Sequence, residues 1–108
     1  MSKITVFLSE KGKYPFKKEI IDCLLIEKIK KVSDKTNASS LVAYVDIRKK
    51  KYTNINANNH NIMVEGIYKG NINSSEDLSK FVLNNKTYLI NSVEVYNVGL
   101  PHIIISGD

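Results

Sequence analysis

The segment from Leu41 to Arg48 constrains the fold more than any other part of this chain. Every second residue from Leu41 to Ile47 is apolar, and the residues between and after them are Val42, Tyr44, Asp46 and Arg48. Side chains alternate between the two faces of a strand, so this period of two predicts a strand with one face on a core. The other face, with Tyr44 and Arg48, is then left for contact with something else.

The remaining patterns predict a mixed order of strands and helices. Apolar residues at Ile21, Leu25, Ile29 and Val32 have helical spacing and predict a long helix over 16–35. Ser74 with Asp77 three positions later is typical of a capped helix start, which places a short helix after it. Strands are expected over 3–9, 41–48, 62–68, 87–98 and 102–106, with a bulge near Asn91 and a polar connection over 54–61.

This order, β-α-β-β-α-β with an added C-terminal strand, predicts a ferredoxin-like α+β domain with a mainly antiparallel sheet. The alternative architecture is a small, partly open β-barrel with one long helix. With 108 residues, the chain is expected to form a single globular domain over 1–108. The apolar share of 43% and the charged share of 25% are typical of a folded protein.

Apolar runs such as Cys23 to Ile26 are too short for a membrane span, and the first residues do not resemble a signal peptide. We therefore expect no membrane association and a cytoplasmic location, in a cell or in an infected host. A single cysteine agrees with a reducing compartment, and Cys23 is expected to be buried and inert because its neighbours are apolar.

The basic residues favour lysine to an unusual degree. Of 16 basic residues only Arg48 is an arginine, and the formal net charge is +5. Lysine is a hydrated point charge that attracts anions without the bidentate geometry of arginine. The lysine bias, with abundant Ile and Asn, is typical of AT-rich genomes, which suggests a low-GC bacterium or its phage or mobile elements.

No motif predicts catalysis or a cofactor. The two histidines, His60 and His102, and Cys23 show no metal-ligand spacing, and neither a nucleophile elbow nor a glycine-rich phosphate loop occurs. We therefore predict no metal, no cofactor and no catalytic residue. The enzyme alternative depends on Asp46 and Glu65, which we expect on two paired strands and more as ion-pair partners than as an acid and a base.

The leading hypothesis is a non-enzymatic binding module of the inhibitor or adaptor type, with a protein partner. Aromatic rings would anchor the contact and lysines would raise the encounter rate. An alternative is binding of RNA or single-stranded DNA through the same patch. Oligomerisation is left open: if the apolar strand over 102–106 lies at a sheet edge, it offers a site for pairing with a second copy. The predicted contact residues are Tyr44, Arg48, Lys49, Lys50, Lys51, Tyr52 and Tyr68.

Overall fold

A computed structural model describes residues 2–33, 36–48, 50, 52 and 55–108, with side chains described outside 31–38. Within these ranges the chain forms a small α+β domain with one helix, α1 (Ser75–Asn84), and seven strands. The strands are β1 (Ser2–Leu8), β2 (Lys17–Cys23), β3 (Leu25–Ser33), β4 (Thr36–Asp46), β5 (Ile62–Glu65), β6 (Tyr88–Tyr96) and β7 (His102–Gly107). They form one sheet in the order β2-β1-β5-β6-β7-β4-β3, and all neighbours are antiparallel.

The predicted helix over 16–35 is wrong, because residues 17–23 and 25–33 form β2 and β3; residues 34 and 35 lie outside the described part of the chain. A spacing of four residues is compatible with both periods. It places Ile21, Leu25 and Ile29 on one stripe of a helix and equally on one face of a strand. The β-branched residues Ile20, Ile21, Ile26 and Ile29 favour the strand. The ferredoxin-like order is therefore not confirmed, and the long helix of the alternative architecture is wrong for the same reason.

Leu24 forms a corner that curls the sheet. By hydrogen-bonded order β2 and β3 are the two opposite edge strands, yet Leu24 alone separates them in sequence. The Leu24 amide donates to the carbonyl oxygen of Tyr44 at 2.8 Å, which ties the corner to β4. Such corners form where a strand bends and continues in another part of a sheet. The two edges consequently meet at Leu24, and the inner face of the sheet encloses a core.

The inner core is built from alternate residues of the curled strands. Ile4 and Val6 of β1 meet Ile21 of β2, Val45 of β4 and Ile105 of β7, and each is almost fully buried. Cys23 belongs to this core and is 1% exposed, so its predicted burial is confirmed on a strand instead of a helix. Its desolvation raises the pKa of the thiol to about 11.

A second, outer cluster lies between the sheet and α1. Phe7 of β1 points away from the inner core and contacts Phe81 of α1, with ring centroids 5.1 Å apart. Tyr68 lies against the same Phe81 ring at 4.6 Å. The helix begins as predicted, since the Asp77 amide donates to the Ser74 hydroxyl at 3.2 Å. The Asp77 carboxylate accepts from the amide of Asn73.

The closing strands carry the predicted bulge, with a register shift between Ile90 and Ser92 of β6. Strand β7 is central, however, because it pairs with β6 on one side and β4 on the other. The edge position considered for 102–106 is therefore wrong, and this strand offers no free edge to a second copy. Strand β5 is shorter than predicted and is followed by Gly66 with φ 86°. Among the described residues no helix is long and apolar enough to cross a bilayer.

Candidate interaction surface

Strand β4 has the two faces that its sequence predicts. Leu41, Ala43, Val45 and Ile47 are buried in the inner core, while Val42, Tyr44 and Asp46 are half-buried on the opposite side. The same alternation in β7 buries Ile103 and Ile105 and leaves the other side chains outward. Residues directly opposite in antiparallel strands share a face, so register extends this outer side over four strands. We call it the open face; it comprises Leu25, Glu27, Val42, Tyr44, Asp46, Glu94, Tyr96, His102, Ile104 and Ser106.

The centre of the open face is apolar. Tyr44 pairs with Leu25 of β3 on one side and with Ile104 of β7 on the other. Leu25 is exposed and Ile104 is half-buried. Within the described ranges α1 packs by Phe81 and Leu78 against the outer cluster, so it does not cover Tyr44. The tyrosine face of β4 is therefore not under the described helix.

An aromatic pair lies next to this centre. The rings of Tyr96 and His102 stack with centroids 5.1 Å apart and 11° between their planes. The Tyr96 hydroxyl donates to the Glu94 carboxylate at 2.5 Å, and this hydrogen bond raises the pKa of Tyr96. Nδ1 of His102 lies 2.7 Å from the carbonyl oxygen of Leu100, which requires a proton on Nδ1. In the neutral imidazole the other ring nitrogen, Nε2, is then the hydrogen-bond acceptor.

Arg48 binds its own neighbour. Its Nε and Nη2 atoms donate to the Asp46 carboxylate at 3.0 and 2.7 Å, and its backbone amide donates to the same group at 2.9 Å. The pairing raises the pKa of Arg48. Two-point contact of guanidinium with carboxylate uses the geometry by which arginine otherwise recognises phosphate. The arginine therefore fixes the end of β4.

Lys50 and Tyr52 lie away from the open face, because after Ile47 the chain turns toward β2. The Lys50 ammonium binds Glu19 of β2 at 2.5 Å, and this contact raises the pKa of Lys50. It also lies 5.0 Å from the ring centroid of Tyr52. Tyr52 packs against the inner core, and burial raises its pKa. Lys49 and Lys51 lie outside the described residues.

Of the predicted contact residues, Tyr44 lies on the open face and Arg48 lies at its rim, bound to Asp46. Tyr68 lies beside α1 in the outer cluster, with its ring 5.8 Å from that of Phe7. Sequence reasoning missed Tyr96, His102 and Ile104, which register places beside β4. The alternation of apolar residues in β7 could have indicated its outward side chains. The pairing of β7 with β4, however, cannot be derived from the sequence.

The open face is acidic where the sequence led us to expect a basic patch. It carries the carboxylates of Glu27, Asp46 and Glu94, against the Arg48 guanidinium at its rim. Asp108 adds a carboxylate near this side, since it accepts hydrogen bonds from Ser40 and Asn91. The net charge of +5 is therefore carried by other parts of the surface.

The carboxylates considered for catalysis are separated. Strand β4, with Asp46, pairs with β3 and β7, whereas β5, with Glu65, pairs with β1 and β6. The prediction that these two strands pair is wrong. Glu65 instead binds the ammonium of Lys28 at 2.6 Å, and Asp46 binds Arg48. Over the described part of the chain, no three His, Cys, Asp or Glu side chains converge as metal ligands would.

Comparison of the chain with protein-family models, with curated proteins and with solved structures gave no match.

Proposed function

We propose that this chain is a non-enzymatic binding module of the inhibitor or adaptor type that contacts a protein partner through the open face. The observation that carries the proposal is the apolar row of Leu25, Tyr44 and Ile104 across three strands, on a face that α1 leaves uncovered. A cytoplasmic location and an origin in a low-GC bacterium or its phage are parts of the same proposal, supported by composition.

The physical basis is the usual arrangement of a protein interface. Burial of apolar surface supplies about 25 cal/mol per Å², and rings such as Tyr44 and Tyr96 contribute large contact areas with few rotatable bonds. A polar rim fixes orientation. Here Glu94, Asp46 and Arg48 form such a rim around the apolar row.

The charge of the open face also indicates the kind of partner. Among the described side chains of the open face, three carboxylates against one guanidinium favour a partner with basic residues around an apolar centre. Nucleic acid would meet repulsion there, because its phosphates are anionic. We therefore propose that the protein partner binds at the open face and that this face does not bind RNA or single-stranded DNA.

The test is affinity capture by the tagged chain from nuclease-treated extract of its source. The face variant is Tyr44→Ser with Ile104→Ser, and the matched control is Val82→Ser with Leu83→Ser on α1, where Leu83 is 83% exposed. Circular dichroism and thermal unfolding must show that both variants fold. We expect the same protein to be captured by the wild type and the control, and to be lost with the face variant.

Two results would contradict this proposal. One is capture of the same proteins by both variants, and the other is that the wild type captures no protein from the nuclease-treated extract. A purified partner also permits a salt titration. An apolar interface should change its affinity little between 50 and 200 mM salt, whereas about six phosphate contacts would lower affinity about 10³-fold.

A further inference from the structure

The strongest basic cluster among the described residues is the connection from β1 to β2. Residues 10–18, which we call the lysine loop, contain Lys11, Lys13, Lys17 and Lys18, with Glu10 as the one acid. Tyr14 and Phe16 lie between these lysines. The loop thus combines positive charge and aromatic rings within nine residues, away from the open face.

The tip of the loop is held in a defined shape. Lys11 and Gly12 have φ of 60° and 74°, as in a type I′ turn, and the Lys13 amide donates back to the Glu10 carbonyl oxygen. The Ser9 hydroxyl donates to the Lys13 carbonyl oxygen at 2.8 Å. A left-handed conformation at a lysine costs about 1 kcal/mol or more and is more common at functional sites. The turn therefore presents its lysines from a fixed backbone.

Three lysines of the loop are exposed and make no ion pair with a described carboxylate, in contrast to four lysines elsewhere in the described chain. Lys3, Lys28, Lys50 and Lys80 each bind a carboxylate. Lys11, Lys13 and Lys17 are exposed, and no described carboxylate lies within ion-pair distance of them. Lys18 is different again, because its ammonium donates to the carbonyl oxygens of residues 68–70. Three positive charges are thus available to an external anion.

Tyr14 adds a stacking surface beside these charges. Its ring lies on that of Phe16, with centroids 5.3 Å apart and 30° between the planes. Phe16 is buried, whereas Tyr14 is 39% exposed, so one face of the Tyr14 ring is supported and the other is accessible. A cleft of about 340 Å³ runs along this side of the loop, lined among others by Lys11, Lys13 and Tyr14.

We propose that the lysine loop binds single-stranded nucleic acid. Lys11, Lys13 and Lys17 neutralise phosphates, and one base stacks on the accessible face of Tyr14. A ring that takes a base by stacking requires an unpaired base, which selects a single strand over a duplex. The loop has no arginine for bidentate contact with a guanine edge, so binding depends little on sequence. This surface is separate from the open face and does not depend on the protein partner proposed above.

The test is fluorescence anisotropy of the full chain with a labelled 12-nucleotide oligothymidylate or oligouridylate. Three phosphate contacts predict a slope of about −2 for log affinity against log salt, from about −0.7 per contact. The charge variant changes Lys11, Lys13 and Lys17 to Gln, and its control changes Lys30, Lys80 and Lys86 to Gln. Each lowers the net charge by three, from +5 to +2. We expect the first to remove binding and most of the slope, and the second to keep most of both.

A third variant, Tyr14→Leu, tests stacking; we expect affinity to fall about 10-fold with the salt slope unchanged. The proposal is overturned if the oligonucleotides do not bind at 50 mM salt, or if the two lysine variants lose affinity equally. It is also overturned if polyglutamate or a DNA duplex competes as well as the single strand, because the loop would then attract any polyanion. The open-face variant Tyr44→Ser with Ile104→Ser should bind the oligonucleotide like the wild type.

Discussion

Thr5 of β1 forms hydrogen bonds to the segment that follows β5. Its replacement by valine tests this contact. The side chain is 0% exposed. Its hydroxyl donates to the carbonyl oxygen of Gly66 at 2.8 Å and accepts from the amide of Tyr68 at 3.0 Å. Valine has the same shape without the hydroxyl, so Thr5→Val removes both hydrogen bonds and leaves the packing volume nearly unchanged.

The expected cost follows from two backbone groups that lose their partner. A buried polar group left unsatisfied costs about 1–3 kcal/mol. Both groups are partly buried, so we take the lower half of that range and expect about 2–4 kcal/mol in the free energy of unfolding. For a chain of this size this corresponds to a fall of at least about 8 °C in the thermal midpoint. Thr5→Ser is the matched control, since it keeps the hydroxyl and loses one methyl group, at about 1 kcal/mol.

Urea unfolding gives the free energies, and hydrogen exchange gives the location of the change. The amide of Tyr68 should lose protection in Thr5→Val and keep it in Thr5→Ser, because only the first removes its acceptor. A Thr5→Val protein within about 0.5 kcal/mol of the wild type would refute the assigned role of the hydroxyl. So would unchanged exchange at Tyr68.

Three further predictions concern other buried or bridging groups. Lys18→Met keeps the length of the side chain but removes the donor to three carbonyl oxygens, so urea unfolding should show a loss of about 1–2 kcal/mol and exchange should rise over 68–70. Gly107→Ala places a Cβ 2.7 Å from the carbonyl oxygen of Leu89, so the free energy of unfolding should fall by about 1–3 kcal/mol and the thermal midpoint should fall with it. Burial raises the pKa of Cys23 from 9.0 to about 11, so the unfolded chain loses this proton first, and this group lowers stability between about pH 9 and 11 by about 1.4 kcal/mol per pH unit. In Cys23→Ala, unfolding followed over this range should show a shallower fall, and the remainder belongs to groups such as Tyr52 and Lys50, whose pKa values are also raised.

The parts of the fold that sequence predicted correctly are those set by local pattern. The alternation over 41–47 and the capping residue Ser74 each determine the structure of their own segment. The bulge between Ile90 and Ser92 was visible as a change of phase. In each case neighbouring residues carried enough information, because a strand face or a helix start is decided within a few positions.

The segment over 16–35 was mispredicted because its strongest signal does not distinguish the two periods. The pairing of β2 with β1 and of β3 with β4 decides between them, and those partners lie outside the segment. The corner at Leu24 adds to the difficulty. The run from Cys23 to Ile26 is apolar throughout because the strand changes sheet half there, so no single alternation continues across it.

The candidate surface shows the same division. Its β4 side, with Tyr44, was predicted from the alternation, whereas its β7 side, with Ile104, depends on non-local pairing. The sequence grouped Lys50 and Tyr52 with Tyr44 because they are near in the chain, but the chain leaves the sheet after Ile47. The lysine loop was not among the predicted contact residues, since exposure and ion pairing of individual lysines cannot be derived from a single sequence.

The corner at Leu24 gives the molecule a mechanical link between its two proposed surfaces. The strand that leaves the lysine loop at Lys17 continues through one residue into Leu25, on the open face. A displacement of the loop would therefore be transmitted along a continuous, hydrogen-bonded backbone to the open face, where the protein partner is proposed to bind. The amide of Leu24, which bonds to Tyr44, is therefore the position at which hydrogen exchange would report any effect of one surface on the other.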